Sequence, residues 1–568
     1  MRLFTEHETR KVIPLNGAWR FLLDENDEGE KNGWQNGLPD GKTVIVPSSW
    51  NNEIGLLNYM ARAWYERKFT FDGGTLRIVF EAVANEATIW LDGKKIGYHY
   101  GGFTMFDIIA SGIECGEHTL VVLVNSELDK KSLPQHKVDW FNYGGIVRDV
   151  YAEVLEGVCV LSNNLKYELS DDFSSVSTHS SLVLYNASDK ATSSPICICV
   201  GDTQIFNSTI TLGPRETLEL DTPERKIDGV KLWSDKNPHL YYINAKTDSD
   251  DLIDRVGFRK IEARDNKILL NGEQIELRGV NRHEEHPDWG FAFPAKLMTR
   301  DLDIVKDLGC NTIRGAHYPQ SFALLDMLDE RGLLFWSEIP IWGGGFDDKV
   351  LGDPVVVERG LNMHREMTSQ YYNHPSIIIW GMHNEIYTLY PCTYGISKQY
   401  SELLRAKGGN RLITHAAAFP FDDDSLEFDD IICINMYHGW YGGNFGEWDK
   451  VLERFKELRE KLGMSHKPVI FSEFGAGALA GFHSAFDTMR WSEEYQADLL
   501  EYCLELFHKD EMVSGFYIWQ FCNIRTMPDL ELNRVRCFNN KGILDEYRNP
   551  KNAYFKVKKL YHKYASEK

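Results

Sequence analysis

Long hydrophobic runs, basic tracts and closely paired cysteines are scarce in this chain, and each scarcity removes a class of function. No apolar stretch approaches the roughly eighteen residues that a membrane-crossing helix needs, so such a protein is not expected. The opening residues, Met1 to Glu8, carry acids where a secretory leader needs an apolar core. Lysine and arginine number 62 against 84 acids, a formal net charge of -22, which disfavours nucleic acid and anionic membranes as partners. The 10 cysteines are scattered singly apart from Cys197 and Cys199, a spacing that builds neither a zinc site nor a disulfide framework. Most of them read as buried thiols, and a cytoplasmic protein is expected. The glycosylation tripeptides at Asn186 and Asn207 are then chance matches.

What is present divides by its period. Up to residue 157 the chain alternates apolar and polar residues in short runs, such as Trp19-Arg20-Phe21-Leu22-Leu23 and His118-Thr119-Leu120-Val121-Val122, broken by Asp-Gly and Gly-Gly turns. This predicts a jelly-roll-like antiparallel sandwich. Residues 158–262 repeat the β pattern without a helical period and predict an immunoglobulin-like sandwich. Cys159, Cys197 and Cys199 do not supply its usual inter-sheet disulfide, so that reading rests on the number of strands. After Asn271-Gly272 apolar strands alternate with helical stretches at 299–308, 321–330 and 491–507. Strand centres near Leu277, Ile313, Leu334, Ile378, Ile413, Cys433, Ile470 and Tyr517 predict a (β/α)8 TIM barrel over 263–568.

Two of these strands end in a carboxylate. The run Ile377-Ile378-Ile379-Trp380-Gly381-Met382-His383 leads to Asn384-Glu385, and Val469-Ile470-Phe471-Ser472 leads to Glu473. Either glutamate alone could cap a helix or pair on the surface. Two at the mouths of parallel barrel strands are the equipment of glycoside hydrolysis, where one group protonates the leaving oxygen and the other attacks the sugar or activates water. The residues just past the other strands are Asn281-Arg282-His283, His317-Tyr318, Glu338, His415, Asn435-Met436-Tyr437 and Trp519. Hydroxyl partners and flat rings on one face suit a sugar pocket. His283-Glu284-Glu285-His286 has its histidines three apart before Pro287, not the four apart of a zinc helix, so no metal site is expected.

Over essentially its whole length the chain resembles the glycoside hydrolase family 2 enzymes. The likeness is carried by Leu232-Trp233-Ser234 with Asn237-Pro238, by Gly257-Phe258-Arg259, by Leu277-Arg278-Gly279-Val280-Asn281-Arg282-His283, by His374-Pro375-Ser376 leading to Asn384-Glu385, and by Ser472-Glu473-Phe474-Gly475. Within the family it looks most like the bacterial β-glucuronidases, through Asn435-Met436-Tyr437-His438-Gly439-Trp440-Tyr441, the segment Leu479-Ala480-Gly481-Phe482-His483-Ser484, and Asn539-Asn540-Lys541-Gly542.

The resemblance implies Glu473 as nucleophile, Glu385 as acid/base and Tyr437 as the group that orients Glu473. It implies that Asn384 contacts the sugar 2-hydroxyl, that Asp139 reaches the sugar from the first domain, and that His317, Asn435, Tyr441 and Trp519 line the pocket. Asn539 and Lys541 would grip the sugar carboxylate. A retaining mechanism follows, with no cofactor required for catalysis; a non-catalytic flavin, held by some bacterial members, is left undecided. The expected substrate is a small-molecule or oligosaccharide glucuronide, and a homo-oligomer is expected. The chain departs from the family in having Gly477 where better-known members carry aspartate, in offering Arg534 or Arg536 as the arginine before the Asn-x-Lys element, and in a short connection after the third strand. That connection, Gly-rich from Trp342 to Asp353, predicts an open mouth where small aglycones gain little. β-Galacturonidase, β-galactosidase and a non-catalytic carbohydrate-binding protein are the rival readings.

Overall fold

The computed structural model describes residues 2–343, 346–484, 486, 488–528 and 534–567. The period-two pattern of the first 157 residues folds as two facing antiparallel sheets. One orders Lys42–Val46, Gly17–Leu23, Arg62–Phe71, Gly116–Asn125, Glu86–Leu91 and Lys94–Tyr100; the other orders Val12–Pro14, Val150–Leu155, Gly74–Phe80 and Phe106–Ile113. In strand Gly116–Asn125, Leu120, Val122 and Val124 enter the inter-sheet core beside Trp19, Phe21, Ile78 and Phe80. Val121, on the opposite face, packs with Trp64 and Trp90 instead. Each such burial contributes about 1.5–3 kcal/mol, and a one-residue slip would exchange the faces. A second pair of antiparallel sheets follows, built on Val158–Leu169 with Ser175–Asn186, and on Thr192–Val200 with Thr203–Leu212, Tyr241–Lys246 and Asp251–Val256.

The C-terminal region closes a ring of eight parallel strands: Leu277–Arg282, Thr312–Gly315, Leu334–Glu338, Ile377–Asn384, Leu412–Ala417, Ile432–Asn435, Val469–Phe474 and Val513–Ile518. All eight strand centres read from the sequence lie within them. Every residue of these strands except Arg278 is buried, because helices cover the outer face while side chains fill the interior; the strands therefore read as continuous apolar runs.

The helix Glu493–Lys509 illustrates the outer layer. Its N-cap Ser492 accepts from the Tyr495 amide, Glu493 and Glu494 occupy the positive first turn, and His508 and Lys509 the negative last turn. Its buried Phe507 stacks on Phe471 of the seventh strand with centroids 4.0 Å apart and so steadies the strand that ends in Glu473.

The first sandwich also reaches the barrel. The Phe141 amide donates to the Arg525 carbonyl at 2.8 Å, and the Arg525 guanidinium lies 3.7 Å over the Phe141 ring. Tyr143 donates to Glu285 at 2.7 Å and Arg148 to Glu284 at 3.0 Å. The motif that superficially suggested zinc is thus a buried clamp between domains. In the connection after the third strand, the expected loop carries a short helix, Asp348–Leu351, started by Asp347 accepting from the Val350 amide. Gly344 and Gly345 of that Gly-rich segment lie outside the described residues.

Candidate active site

The strand mouths surround a cavity of about 940 Å3 whose lining includes Asp139, His317, Glu385, Asn435, Tyr437, Tyr441, Glu473, Trp519, Arg534 and Lys541. At its floor stands a residue absent from the sequence reading, Arg314 on the second strand. Its guanidinium donates to Glu473 Oε1 at 2.7 Å, to Asn281 Oδ1 at 3.0 Å, to Asn384 Oδ1 at 2.7 Å and to both oxygens of Glu338 at 3.0 Å. Burial opposes its charge, but Glu338 and Glu473 more than offset that and keep it protonated. A single arginine inside the buried run Thr312-Ile313-Arg314-Gly315 was the available signal, since an unpaired charge cannot persist in a dry core.

Glu473 has a second donor, the Tyr437 hydroxyl, at 2.6 Å on Oε2. Burial, and then the neighbouring charge of Glu473, hold the Tyr437 phenol well above its usual range, so it remains a donor. His317 approaches Oε1 of Glu473 to 3.8 Å through Nε2, while its Nδ1 faces Glu338 at 2.7 Å. The His317 ring stacks on Trp519 with centroids 5.0 Å apart.

Glu385 is served differently. Among the described residues its Oε1 accepts only from Asn435 Nδ2, at 2.8 Å, and its backbone takes a left-handed φ of 53°. Burial, followed by the charge on Glu473, pushes its carboxyl up to about 8. Glu385 therefore tends to keep its proton at neutral pH. Asn435, expected among the sugar contacts, donates to Asn384 Oδ1 at 3.0 Å as well as to Glu385, and accepts from Ser472. Its amide is committed to holding the fourth strand's end. Asn384, held through Oδ1 by Arg314 and Asn435, leaves its buried Nδ2 without a partner among the described residues.

The opposite end of the cavity is cationic. Lys541 is 2% exposed, donates to the Tyr441 hydroxyl at 2.7 Å, and lies 5.2 Å and 4.8 Å from the ring centroids of Tyr437 and Tyr441. Among the described residues no carboxylate forms an ion pair with it, and burial lowers its pKa. Asp139 arrives from the first sandwich and accepts from Arg534 Nε at 2.8 Å and from Asn539 Nδ2 at 2.9 Å. Asn539, expected to grip a sugar carboxylate, donates to Asp139 and, through Oδ1, accepts from the Lys541 amide at 3.2 Å. Of the two candidate arginines, Arg534 lines the cavity while Arg536 pairs with Glu546 at 3.0 Å. At Gly477 a Cβ would meet ring carbons of Trp440 and Trp491 at 2.9 Å, leaving no space for an aspartate.

His415 and His283 do not join the cavity. His415 is buried between Asp423 at 2.8 Å and Asp429 at 3.1 Å; burial alone would lower its pKa, but the two carboxylates push it up to about 10. His283 lies behind His317 and Trp519, with ring centroids 5.5 Å and 5.6 Å away. Among the described residues no helix is long and apolar enough to cross a membrane.

Comparison with known proteins agrees with this architecture. Residues 261–566 match the family model for the TIM barrel domain of glycosyl hydrolases family 2, and residues 12–154 match its sugar binding domain. A beta-glucuronidase of Paenibacillus borealis is 26% identical over 590 residues, covering 96% of each chain, and one of Streptococcus agalactiae is 25% identical over 605 residues, covering 97% of this chain and 96% of its own. Among solved structures, the GH2 beta-galacturonidase from Eisenbergiella tayi bound to galacturonate is 31% identical with a TM-score of 0.91 over 99% of both chains. Ruminococcus gnavus beta-glucuronidase is 26% identical with a TM-score of 0.86, also over 99% of both chains.

Proposed function

The chain belongs to glycosyl hydrolases family 2, and from that membership we propose that it is a retaining exo-glycosidase that releases glucuronic acid from β-D-glucuronides. The observation that carries the uronide reading is Lys541: a buried ammonium with aromatic walls and one hydroxyl partner, and among the described residues no carboxylate in an ion pair with it. A sugar carboxylate supplies that missing charge. Arg534 adds a second cation on the same side of the cavity.

The chemistry follows from the two glutamates. Glu473, held by Arg314 and Tyr437, attacks the anomeric carbon while Glu385, still protonated, gives its proton to the leaving oxygen. Once Glu473 is esterified its negative charge is gone, the Glu385 carboxyl loses part of what raised it, and Glu385 serves as base toward water. Asn384 offers its Nδ2, unpartnered among the described residues, to the sugar 2-hydroxyl. Two carboxylates suffice for both steps, so we propose catalysis without a cofactor. Ten free thiols support a reducing, cytoplasmic setting. The homo-oligomer stays a proposal by family likeness, to be measured by sedimentation.

Lys541→Ala is the test. Kcat/KM for a nitrophenyl β-glucuronide should fall by about 10- to 10³-fold, the effect of losing one charge-assisted contact and stranding a carboxylate, while the matching glucoside hardly changes. An unchanged glucuronide-to-glucoside ratio would remove the uronide reading and leave a family 2 glycosidase. A second reading, β-galacturonidase, is favoured by the Eisenbergiella tayi relative and differs only at the sugar C4. Assaying the galacturonide beside the glucuronide on the unmodified enzyme ranks the two.

A further inference from the structure

The cavity is polarised, and its second pole has a use that the sugar chemistry leaves unassigned. Asp139, Tyr441, Arg534 and Lys541 gather at one side, where the uronate carboxylate is read. The other side is built by the loops after the third, fourth and fifth strands, which contribute Trp342, Gly343, Phe346, Glu385, Tyr387, Tyr390, Ala418 and Phe419 to the lining. Beyond Glu385 itself, this set has no charged and no amide side chain.

Glu385 fixes which side faces the leaving group, because the acid must stand beside the glycosidic oxygen. The rings follow it closely: Tyr387 and Tyr390 lie two and five positions further along the chain. The third-strand loop presses directly on the same residue, since a Cβ at Gly343 would come within 1.7 Å of the Glu385 carbonyl oxygen. Tyr387 is the centre of the cluster, with its ring centroid 4.7 Å from Tyr390 and 5.0 Å from Phe419. Phe419 is 42% exposed and lines the cavity, so its ring is open to a ligand there. The hydroxyls of Tyr387 and Tyr390 have no hydrogen-bond partner among the described residues, whereas those of Tyr437 and Tyr441 are both engaged.

Resting on the uronidase reading above, we propose that Tyr387, Tyr390 and Phe419 form a leaving-group subsite for a flat apolar ring, so that aryl β-uronides are the favoured substrate class. A pyranose leaving group would need partners for several hydroxyls, and this wall offers two phenols. A fused aromatic ring needs only faces and edges, which three clustered rings supply. The inference reverses the expectation, drawn from the short third-strand connection, that small aglycones gain little: the contacts come from the fourth- and fifth-strand loops instead.

The test is the ratio of kcat/KM for 2-naphthyl over methyl β-glucuronide, measured in the unmodified enzyme, Tyr390→Ala, Phe419→Ala and Tyr390→Phe. Comparing the ratio across variants cancels the intrinsic difference between the two leaving groups. It should fall by about tenfold in each alanine variant, the worth of one ring contact, and persist in Tyr390→Phe, which keeps the ring. An unchanged ratio in both alanine variants, or an equal fall in Tyr390→Phe, overturns the proposal while leaving the uronidase reading intact. Selective loss of a uronyl disaccharide in place of the naphthyl substrate also overturns it, because the wall would then be a sugar platform. Failure of the unmodified enzyme to cleave any uronide overturns the uronidase reading alone; the same ratio, read on the naphthyl and methyl glycosides it does accept, then decides the ring subsite.

Discussion

The mouth of the seventh strand and the mouth of the fourth strand each present a glutamate to the same cavity, yet they are different chemical environments. Glu473 receives an arginine N–H on one oxygen and a tyrosine O–H on the other, both charge-assisted contacts that stabilise the anion. Glu385 receives one neutral amide and sits in the field of Glu473, so its proton is retained up to about pH 8. The residue type is identical and the neighbours divide the labour. Nucleophile and acid are properties of the surroundings, and the difference can be broken from either side.

The largest effect should come from removing the anion. Glu473→Gln should lower turnover of every substrate by roughly 10⁵-fold or more, on the scale of losing a covalent nucleophile. A 2-deoxy-2-fluoro glycosyl fluoride should label Glu473 in the unmodified protein, and peptide mapping that found the label elsewhere would sink the assignment. Next is the arginine that makes the seventh-strand mouth what it is. Arg314→Lys replaces a fork serving Glu473, Asn384 and Glu338 with a single ammonium, and at about 3–5 kcal/mol for a broken buried pair it should cost on the order of 10² to 10³ in kcat. Activity within a fewfold of the unmodified enzyme would show that Tyr437 alone suffices to hold Glu473.

The effect that varies with the substrate sharpens the comparison most. Glu385→Ala should slow substrates with poor leaving groups by about 10² to 10⁴, and slow nitrophenyl substrates much less in the first step, because a good leaving group needs little protonation. The same variant should erase the alkaline limb of the pH profile. With its pKa raised to about 8, Glu385 is protonated below that pH and able to act as the acid; kcat/KM should therefore fall as pH rises through about 8 in the unmodified enzyme. Equal loss on all substrates, or an alkaline limb that survives in Glu385→Ala, would return Glu385 to a structural role.

Much of this was legible in one dimension. A barrel strand buried on both faces must be a continuous apolar run, and a carboxylate terminating such a run is conspicuous; Glu385 and Glu473 announced themselves for that reason. The same logic placed His415 at a strand end but could not tell that it turns into the protein between Asp423 and Asp429. Strand side chains alternate only while the register is regular. Here the register shifts between Gly381 and Asn384 on the fourth strand and between Ile434 and Asn435 on the sixth, so facing could not be counted out. Asn435 accordingly holds Glu385 in place, although its position suggested a sugar contact.

The residue types and their order determined the barrel, the two sandwiches and the pair of carboxylates, because burial pattern and strand length are local properties of the chain. Only the tertiary structure decided that Arg314 holds the nucleophile, that Asp139 from the first sandwich meets Arg534 and Asn539 roughly four hundred positions later, and that Lys541 is buried with no ion-paired carboxylate among the described residues. Those contacts join residues remote in sequence, and the protonation states they set depend on through-space charge and exclusion of water, neither of which a linear pattern encodes.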